Sequence, residues 1–411
     1  MLSLPGIEVT TRHSGSVYPF QAQAALDHPG VVIGWDRLGG GAVFSYDPWA
    51  LYEARVIGSP NAVVLGQLGK GKSALVKSYL ARQGAFGRRA YVVDPKGEYH
   101  GLARALGAPV LALSPGGGHR LNPLDPGPGP DPAPVELARR RAELVGALAG
   151  AGLERALLSE ERAAIAEATA SLSASATLTD LVAHLLEPSQ VMAKALSTTS
   201  SSLARAAREV ALELHRLVVG DLRGLFDGET SVELDWGGPG LVLDLSALFS
   251  SAALVPAMVC AGAWLAQAIF APGPKAILVV DEAWAILRLV ATTRFLQAAS
   301  KLARSHGCQV VLVVHRLSDL ASQADAGTEA ARQAEGLVSD AETRIVYAQS
   351  PAEAALARRL LGLSGPEAEL ISRLPPYRAL WLVGRHVAVV DHALSATEAA
   401  FCDTDARMAR S

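Results

Sequence analysis

The sequence predicts an α/β protein, a mostly parallel β-sheet covered by helices on both faces and interrupted by an all-α insertion. Three observations carry this. Short, wholly apolar runs recur along the chain, at residues 62–65, 276–280 and 310–314 among others, and strands apolar on both sides belong to sheets buried on both faces. Segments with helical spacing lie between most of these runs, as expected of parallel strands joined by crossovers. Residues 135–219 are rich in Ala, Leu, Arg and Glu and show no strand pattern.

Composition bounds the reading. A chain of 411 residues holds two or three domains, or one large α/β domain with an insertion. Half the residues are hydrophobic, and 37 Lys+Arg against 40 Asp+Glu leave a formal charge of −3. That excludes a disordered chain and a protein that coats nucleic acid, so any nucleic-acid contact must be local. Cys260, Cys308 and Cys402 share no metal-ligand spacing and make no disulfide framework, which reads as cytosolic. The N-terminus shows no basic region followed by an apolar stretch, so no signal peptide is expected. The uncharged stretch 245–274 is divided by Pro256, leaving an apolar helix over 257–271. A membrane span needs about 20 such residues, so a buried core helix is expected there.

Residues 1–60, with strand-like pieces at 30–34 and 42–46, read as a strap leading into the core. Strand, loop and helix follow from Ala62, and a second buried strand covers 90–94. Seven prolines between Pro115 and Pro134 exclude helix and interior strand, which reads as a linker and a boundary. Helix starts are expected at Ser159-Glu160 and Thr179-Asp180. Strand patterns return at 231–235, 241–244, 276–280, 310–314, 344–347 and 379–383. The expected division is a strap (1–60), a first core segment (61–124), a helical insertion (125–225), a second core segment (226–395) and a tail (396–411).

Residues 66–73, Gly66, Gln67, Leu68, Gly69, Lys70, Gly71, Lys72 and Ser73, fit the pattern G-x-x-x-x-G-K-[ST] between a strand and a helix, with Ala74 in the first helical turn. Glycines let backbone N–H groups wrap phosphates, the lysine reaches the β/γ-phosphates and the serine ligates magnesium. The apolar strand 276–280 runs into Asp281 and Glu282. That suits one carboxylate in the magnesium shell and one polarising the attacking water. The strand 310–314 ends in His315-Arg316, and C-terminal strand ends line the ligand crevice of a parallel sheet. His315 is therefore a candidate facing the γ-phosphate, a structural histidine being the competing reading. Arg304, near a helix end, is either functional or solvated. The run Arg139, Arg140 and Arg141 reads as a solvated helix face beside Glu136 and Glu143, His119 as a loop residue, and Cys308 as a small hydrophobe.

Further motifs are colinear with these: Val93-Asp-Pro-Lys-Gly-Glu-Tyr99, Leu121-Asn-Pro-Leu124, Gly224-Leu-Phe-Asp-Gly228, Ala303-Arg-Ser-His-Gly307 and Glu342-Thr-Arg-Ile345. Together they resemble the HerA–FtsK superfamily of ring-forming motor ATPases, most closely the TraC-like ATPases of its conjugation and type IV secretion branch. The resemblance covers roughly residues 15–392. It implies a RecA-like P-loop core, ATP and Mg2+ as cofactors, a homo-oligomeric and hexameric ring, and Arg304 as an arginine finger in the neighbouring subunit's site. It also implies a motor for conjugative DNA transfer or type IV secretion, cytoplasmic or peripheral at the inner membrane face, working with membrane-embedded channel components, a coupling protein and, in some members, DNA. Two departures stand out. His315 replaces the usual glutamine, which opens γ-phosphate sensing to pH. Only about sixty residues precede the core, where the branch usually carries a large docking domain. The rival readings are a HerA- or FtsK-like DNA translocase and a nucleotide-binding scaffold with little hydrolysis.

Overall fold

Strands apolar on both faces are stable only where helices cover both sides, and the chain places them in the middle of one sheet. The computed structural model describes residues 25–126, 132–220, 222–231, 235, 238–251, 253–270, 273–283, 300, 306–316, 318, 336, 338 and 340–402. The strands are β1 (Val31–Asp36), β2 (Ala42–Tyr46), β3 (Ala62–Leu65), β4 (Arg89–Asp94), β5 (Val110–Ala112), β6 (Gly240–Asp244), β7 (Ala276–Val280), β8 (Cys308–Val314), β9 (Thr343–Val346), β10 (Arg378–Val383) and β11 (His386–His392). They form one sheet in the order β2-β1-β11-β10-β9-β3-β8-β7-β4-β6-β5. From β9 through β5 every neighbouring pair is parallel. The C-terminal ends of β3, β8, β7 and β4 therefore lie side by side on one edge, where α/β sheets bind ligands.

Alternation along each strand divides the core in two. Val63 and Leu65 of β3 point into one layer and Ala62 and Val64 into the other. The first layer is shared with the helical insertion and the long apolar helix; the second holds the helix after the glycine-rich loop and an aromatic group of Phe44, Tyr46 and Trp381.

Four strands form an antiparallel flank, of which β1, β2 and β10 match strand patterns expected from the sequence and β11 does not. β11 carries His, Asp and His among its valines, so its pattern is too mixed to stand out, and β5 is only three residues long. Pairing of β1 with β11 draws residues 31–46 into the sheet, so this part of the expected strap is an edge of the core. The expected strand at 231–235 falls largely outside the described residues.

The helices are α1 (Pro48–Glu53), α2 (Lys72–Ala85), α3 (His100–Leu106), α4 (Pro134–Gly152), α5 (Ser159–Ala170), α6 (Leu178–Leu186), α7 (Gln190–Ala195), α8 (Ser200–Val219), α9 (Leu254–Phe270), α10 (Pro351–Leu361), α11 (Gly365–Ile371) and α12 (Ala396–Cys402). Between β5 and β6 the described residues hold α4 to α8 and no strand. In α8 the buried residues Leu203, Ala207, Val210, Leu214 and Leu217 keep helical spacing, and the Thr199 hydroxyl accepts the Ser202 N–H at its start. α6 starts from a Thr177 cap, earlier than the sequence suggested, because Thr177 and Asp180 close a capping box. α9 begins before Pro256, since a proline in the first helical turn removes an N–H that has no intrahelical partner. No helix among the described residues is long and apolar enough to cross a membrane.

The proline-rich stretch is no loose linker at its Asn-Pro end. Leu121, Asn122 and Leu124 are buried. The Leu121 N–H donates to the Leu225 carbonyl at 2.8 Å, and the Asn122 N–H to Thr230 Oγ1 at 2.9 Å. The two ends of the helical excursion are thus bonded to each other. Asn122 Nδ2 also donates to Asp125 Oδ1 and to the Ala176 carbonyl, both at 2.9 Å. Arg141 is not on a solvated face: it is buried, and its guanidinium donates to the carbonyls of Leu124, Ser173 and Ala174. Arg139 does lie outside, on Glu136 and Glu143.

Arg141→Met keeps the apolar stem but leaves the buried Leu124 carbonyl and the part-buried Ser173 and Ala174 carbonyls without their donor, so it should lower unfolding stability by about 2 kcal/mol. Arg139→Ala, which loses only half-exposed pairs, should stay within about 0.5 kcal/mol. Urea denaturation midpoints of the two variants compare them directly.

Candidate functional site

β3 ends at Leu65 and α2 starts at Lys72, and the loop between them depends on glycine. Gly66, Gly69 and Gly71 have φ of 153°, 70° and 107°, which residues with a Cβ rarely adopt. Two of them are also pressed against aromatic residues. A Cβ on Gly66 would lie 2.5 Å from Tyr347 Cβ, and one on Gly71 would lie 3.1 Å from the Tyr377 ring. Gly71 caps α2 without a side-chain bond, so the first N–H groups of that helix face the loop. Unpaired N–H groups and the positive end of a helix dipole form an anion site. Ser73 and Ala74 lie in the first turn, and Leu68 and Gly69 form the exposed tip.

Lys72 is buried and donates to the carbonyls of Gly66 and Gln67, the latter at 2.9 Å. Burial pulls its ammonium down to about 8, against the attraction of Asp281 and Glu282. The three charges are therefore near neighbours across β8, as the sheet order requires.

Asp281 continues β7, and its N–H donates to the Val93 carbonyl at 3.2 Å. Tyr99 Oη donates to Asp281 Oδ2 at 3.0 Å, and the Glu282 N–H to Asp281 Oδ1 at 2.8 Å. Burial, reinforced by the charges of Glu282 and Asp94, raises the Asp281 carboxyl to about 6. Glu282 is also buried and has a left-handed φ of 51°, unusual for a residue with a Cβ. His315 Nε2 lies 2.6 Å from Glu282 Oε1, and Lys96 forms an ion pair with the same oxygen. Burial pushes the Glu282 carboxyl up, but the bonds from His315 and Lys96 outweigh it and hold the group down at about 2.

Lys96 and Tyr99 escaped the sequence reading as site residues. Asp94 places both of them. Its Oδ1 accepts the N–H groups of Lys96 at 3.1 Å and Gly97 at 2.9 Å, and its Oδ2 accepts that of Tyr99 at 2.9 Å. The turn so tied, with Gly97 at φ 69°, aims Lys96 at Glu282 and Tyr99 at Asp281. The usable signal was charged and hydroxyl groups at fixed distances from an apolar strand end, and only the motif resemblance marked it. Of the residues expected from the sequence, Lys72, Ser73, Asp281, Glu282 and His315 meet at the ends of β3, β7 and β8. Arg304 lies outside the described residues.

Among the described residues no group of three or more His, Cys, Asp or Glu side chains could hold a metal ion. A divalent cation at Ser73 and Asp281 would take most of its ligands from phosphate oxygens and water. That suits magnesium, which keeps several waters and binds through one or two carboxylates plus phosphates.

No family model matches the sequence, and no curated protein matches it. Solved structures do. VirB4 of Thermoanaerobacter pseudethanolicus matches with a TM-score of 0.70 at 21% identity, over 92% of this chain and 100% of that one. The plasmid coupling protein TrwB in complex with ADP and Mg2+ matches at 0.56 and 16% identity, over 94% and 93%. TrwB in complex with the non-hydrolysable GTP analogue GDPNP matches at 0.55 and 17% identity, over 82% and 86%. The α/β fold expected from the sequence is thus the fold of VirB4 and TrwB.

The folded Asp281 carboxyl keeps its proton to about pH 6, while an unfolded one loses it near about 4. Stability therefore falls as pH rises through that window. Asp281→Asn should stabilise the nucleotide- and metal-free protein by roughly 2 kcal/mol at pH 8, with no gain at or below about pH 4. Denaturant titrations at the two pH values measure this.

Proposed function

We propose that the protein is an ATP-hydrolysing motor of a conjugative DNA-transfer or type IV secretion system, acting as a homo-oligomeric ring. The observation that carries this reading is the likeness to VirB4 along nearly the whole of both chains. A phosphate loop and a buried carboxylate pair lie at the sheet edge where such a motor needs them. The motif resemblance in the sequence points to the same branch independently.

In this reading residues 66–74 hold the phosphates of ATP through backbone N–H groups. Lys72 balances their charge, and Ser73 and Asp281 hold Mg2+. Bound Mg-ATP supplies the anhydride bond to be broken and the cation that offsets charge on its phosphates. Glu282 orients the attacking water. A carboxyl held at about 2 is a weak proton acceptor, which suits a water-orienting role better than full proton abstraction. His315 and Lys96 fix the direction of that carboxylate. Arg304 reaches the neighbouring subunit's site as an arginine finger, a contribution worth about 10³ to 10⁵ in turnover. The ring works at the inner face of a membrane against channel components.

Glu282→Gln should abolish ATP turnover while nucleotide binding persists, read by phosphate release and by calorimetry. An unaltered rate would instead favour a nucleotide-binding scaffold. Specific activity should rise with protein concentration, and mixing in Arg304→Ala subunits should depress it more than in proportion to their share. Independence of concentration would remove the ring. Stimulation of turnover by double-stranded DNA, lost steeply as salt rises, would shift the reading to a DNA translocase.

A further inference from the structure

We propose that Tyr377 is the stacking platform for the base of the nucleotide held at the phosphate loop, a role that rests on reading residues 66–74 as a nucleotide site. The sheet sets the direction. β3, which leads into the loop, has β8 and β7 on one side and β9 and β10 on the other. Asp281, Glu282, Lys96 and His315 all belong to the first side. A nucleoside triphosphate with its terminal phosphate toward those carboxylates runs its ribose and base to the second side. Tyr377 stands there, directly before β10, against Gly71 at the start of α2.

Two aromatic residues border the loop on that side, and they are used differently. Tyr347, after β9, is wholly buried beneath Gly66. Tyr377 is 49% exposed, so a face of its ring is open to a ligand.

The backbone of Tyr377 adds an independent observation. Arg378 N–H donates to the Pro375 carbonyl at 3.3 Å, closing a turn with Pro376 second and Tyr377 third, at φ 61°. Proline second and a positive φ third are the marks of a type II turn, whose third position favours glycine. A bulky residue there is a backbone outlier. Bonds on both sides hold it: Tyr377 N–H donates to the Lys70 carbonyl at 2.9 Å, and its own carbonyl accepts the His392 N–H at 2.8 Å. Glycine would meet every demand of this turn without strain, so what tyrosine contributes is the ring. A flat aromatic face stacks on any base, with little discrimination between adenine and guanine.

Calorimetry with Mg2+ and a non-hydrolysable ATP analogue, a non-hydrolysable GTP analogue or inorganic tripolyphosphate tests this on the full chain. Tyr377→Phe should bind all three like the parent. Tyr377→Gly should weaken both nucleotides by about ten-fold and leave tripolyphosphate unchanged. Its Tm should not fall, because glycine relieves the left-handed angle. Equal weakening of tripolyphosphate would mean that the tyrosine only shapes the loop, and unchanged nucleotide affinity would mean that it touches no base; either result overturns the proposal. Lys72→Ala should weaken all three ligands. A parent chain that binds none of them would overturn the nucleotide reading of the loop, and the stacking role with it.

Discussion

Two carboxylates side by side at a buried strand end resist desolvation and repel each other, and the structure around β7 is arranged against both effects. Asp281 and Glu282 occupy that position. The first receives a tyrosine hydroxyl and a backbone N–H, and the second receives an imidazole and an ammonium group. The outcome is asymmetric: Asp281 is left with its proton affinity raised, and Glu282 is kept ionised. A raised carboxyl is a site prepared for a cation, and a lowered one is a fixed negative charge that can orient a hydrogen-bond donor.

Asp94 acts on this arrangement both through its charge beside Asp281 and through the turn that it holds. Its carboxylate is spent on three backbone N–H groups of the turn after β4. Because β4 and β7 are neighbouring parallel strands, that turn lies beside the carboxylates it serves. A change at Asp94 would reach Glu282 through Lys96 and Asp281 through Tyr99, so the turn after β4 couples the two groups mechanically.

The antiparallel flank has a comparable part on the other side of β3. β9 pairs with β3 and brings Tyr347 beneath Gly66, while β10 pairs with β9 and brings Tyr377 over Gly71. Tyr347 thus leaves no room for a Cβ on Gly66, and Tyr377 lies in close contact with Gly71. At position 66 glycine is required for close approach as well as for its backbone angle. At the far side of the core, bonds between residues 121–122 and 225–230 close the helical excursion at its base, so α4 to α8 are tied to the sheet at both ends.

The glycine-rich loop between β3 and α2, the carboxylate pair and the central strands were legible in the sequence because each rests on local chemistry. Glycines are needed where the chain turns left-handed, and unbroken apolar runs are needed where both faces of a strand are buried. The HerA–FtsK resemblance rested on the same short motifs, and the fold shared with VirB4 and TrwB agrees with it. What stayed hidden depends on contacts between residues far apart in the chain. β11 is recognisable only by its partners β1 and β10, and Arg141 is buried only because Leu124, Ser173 and Ala174 surround it. Lys96 and His315 are separated by 219 positions and meet only because β4, β7 and β8 lie side by side. The sequence by itself determined which groups could carry phosphate chemistry, since that follows from residue type and local backbone. Tertiary structure alone decided how those groups are charged and where they point, because burial and ion pairing exist only once the sheet has brought the strand ends together.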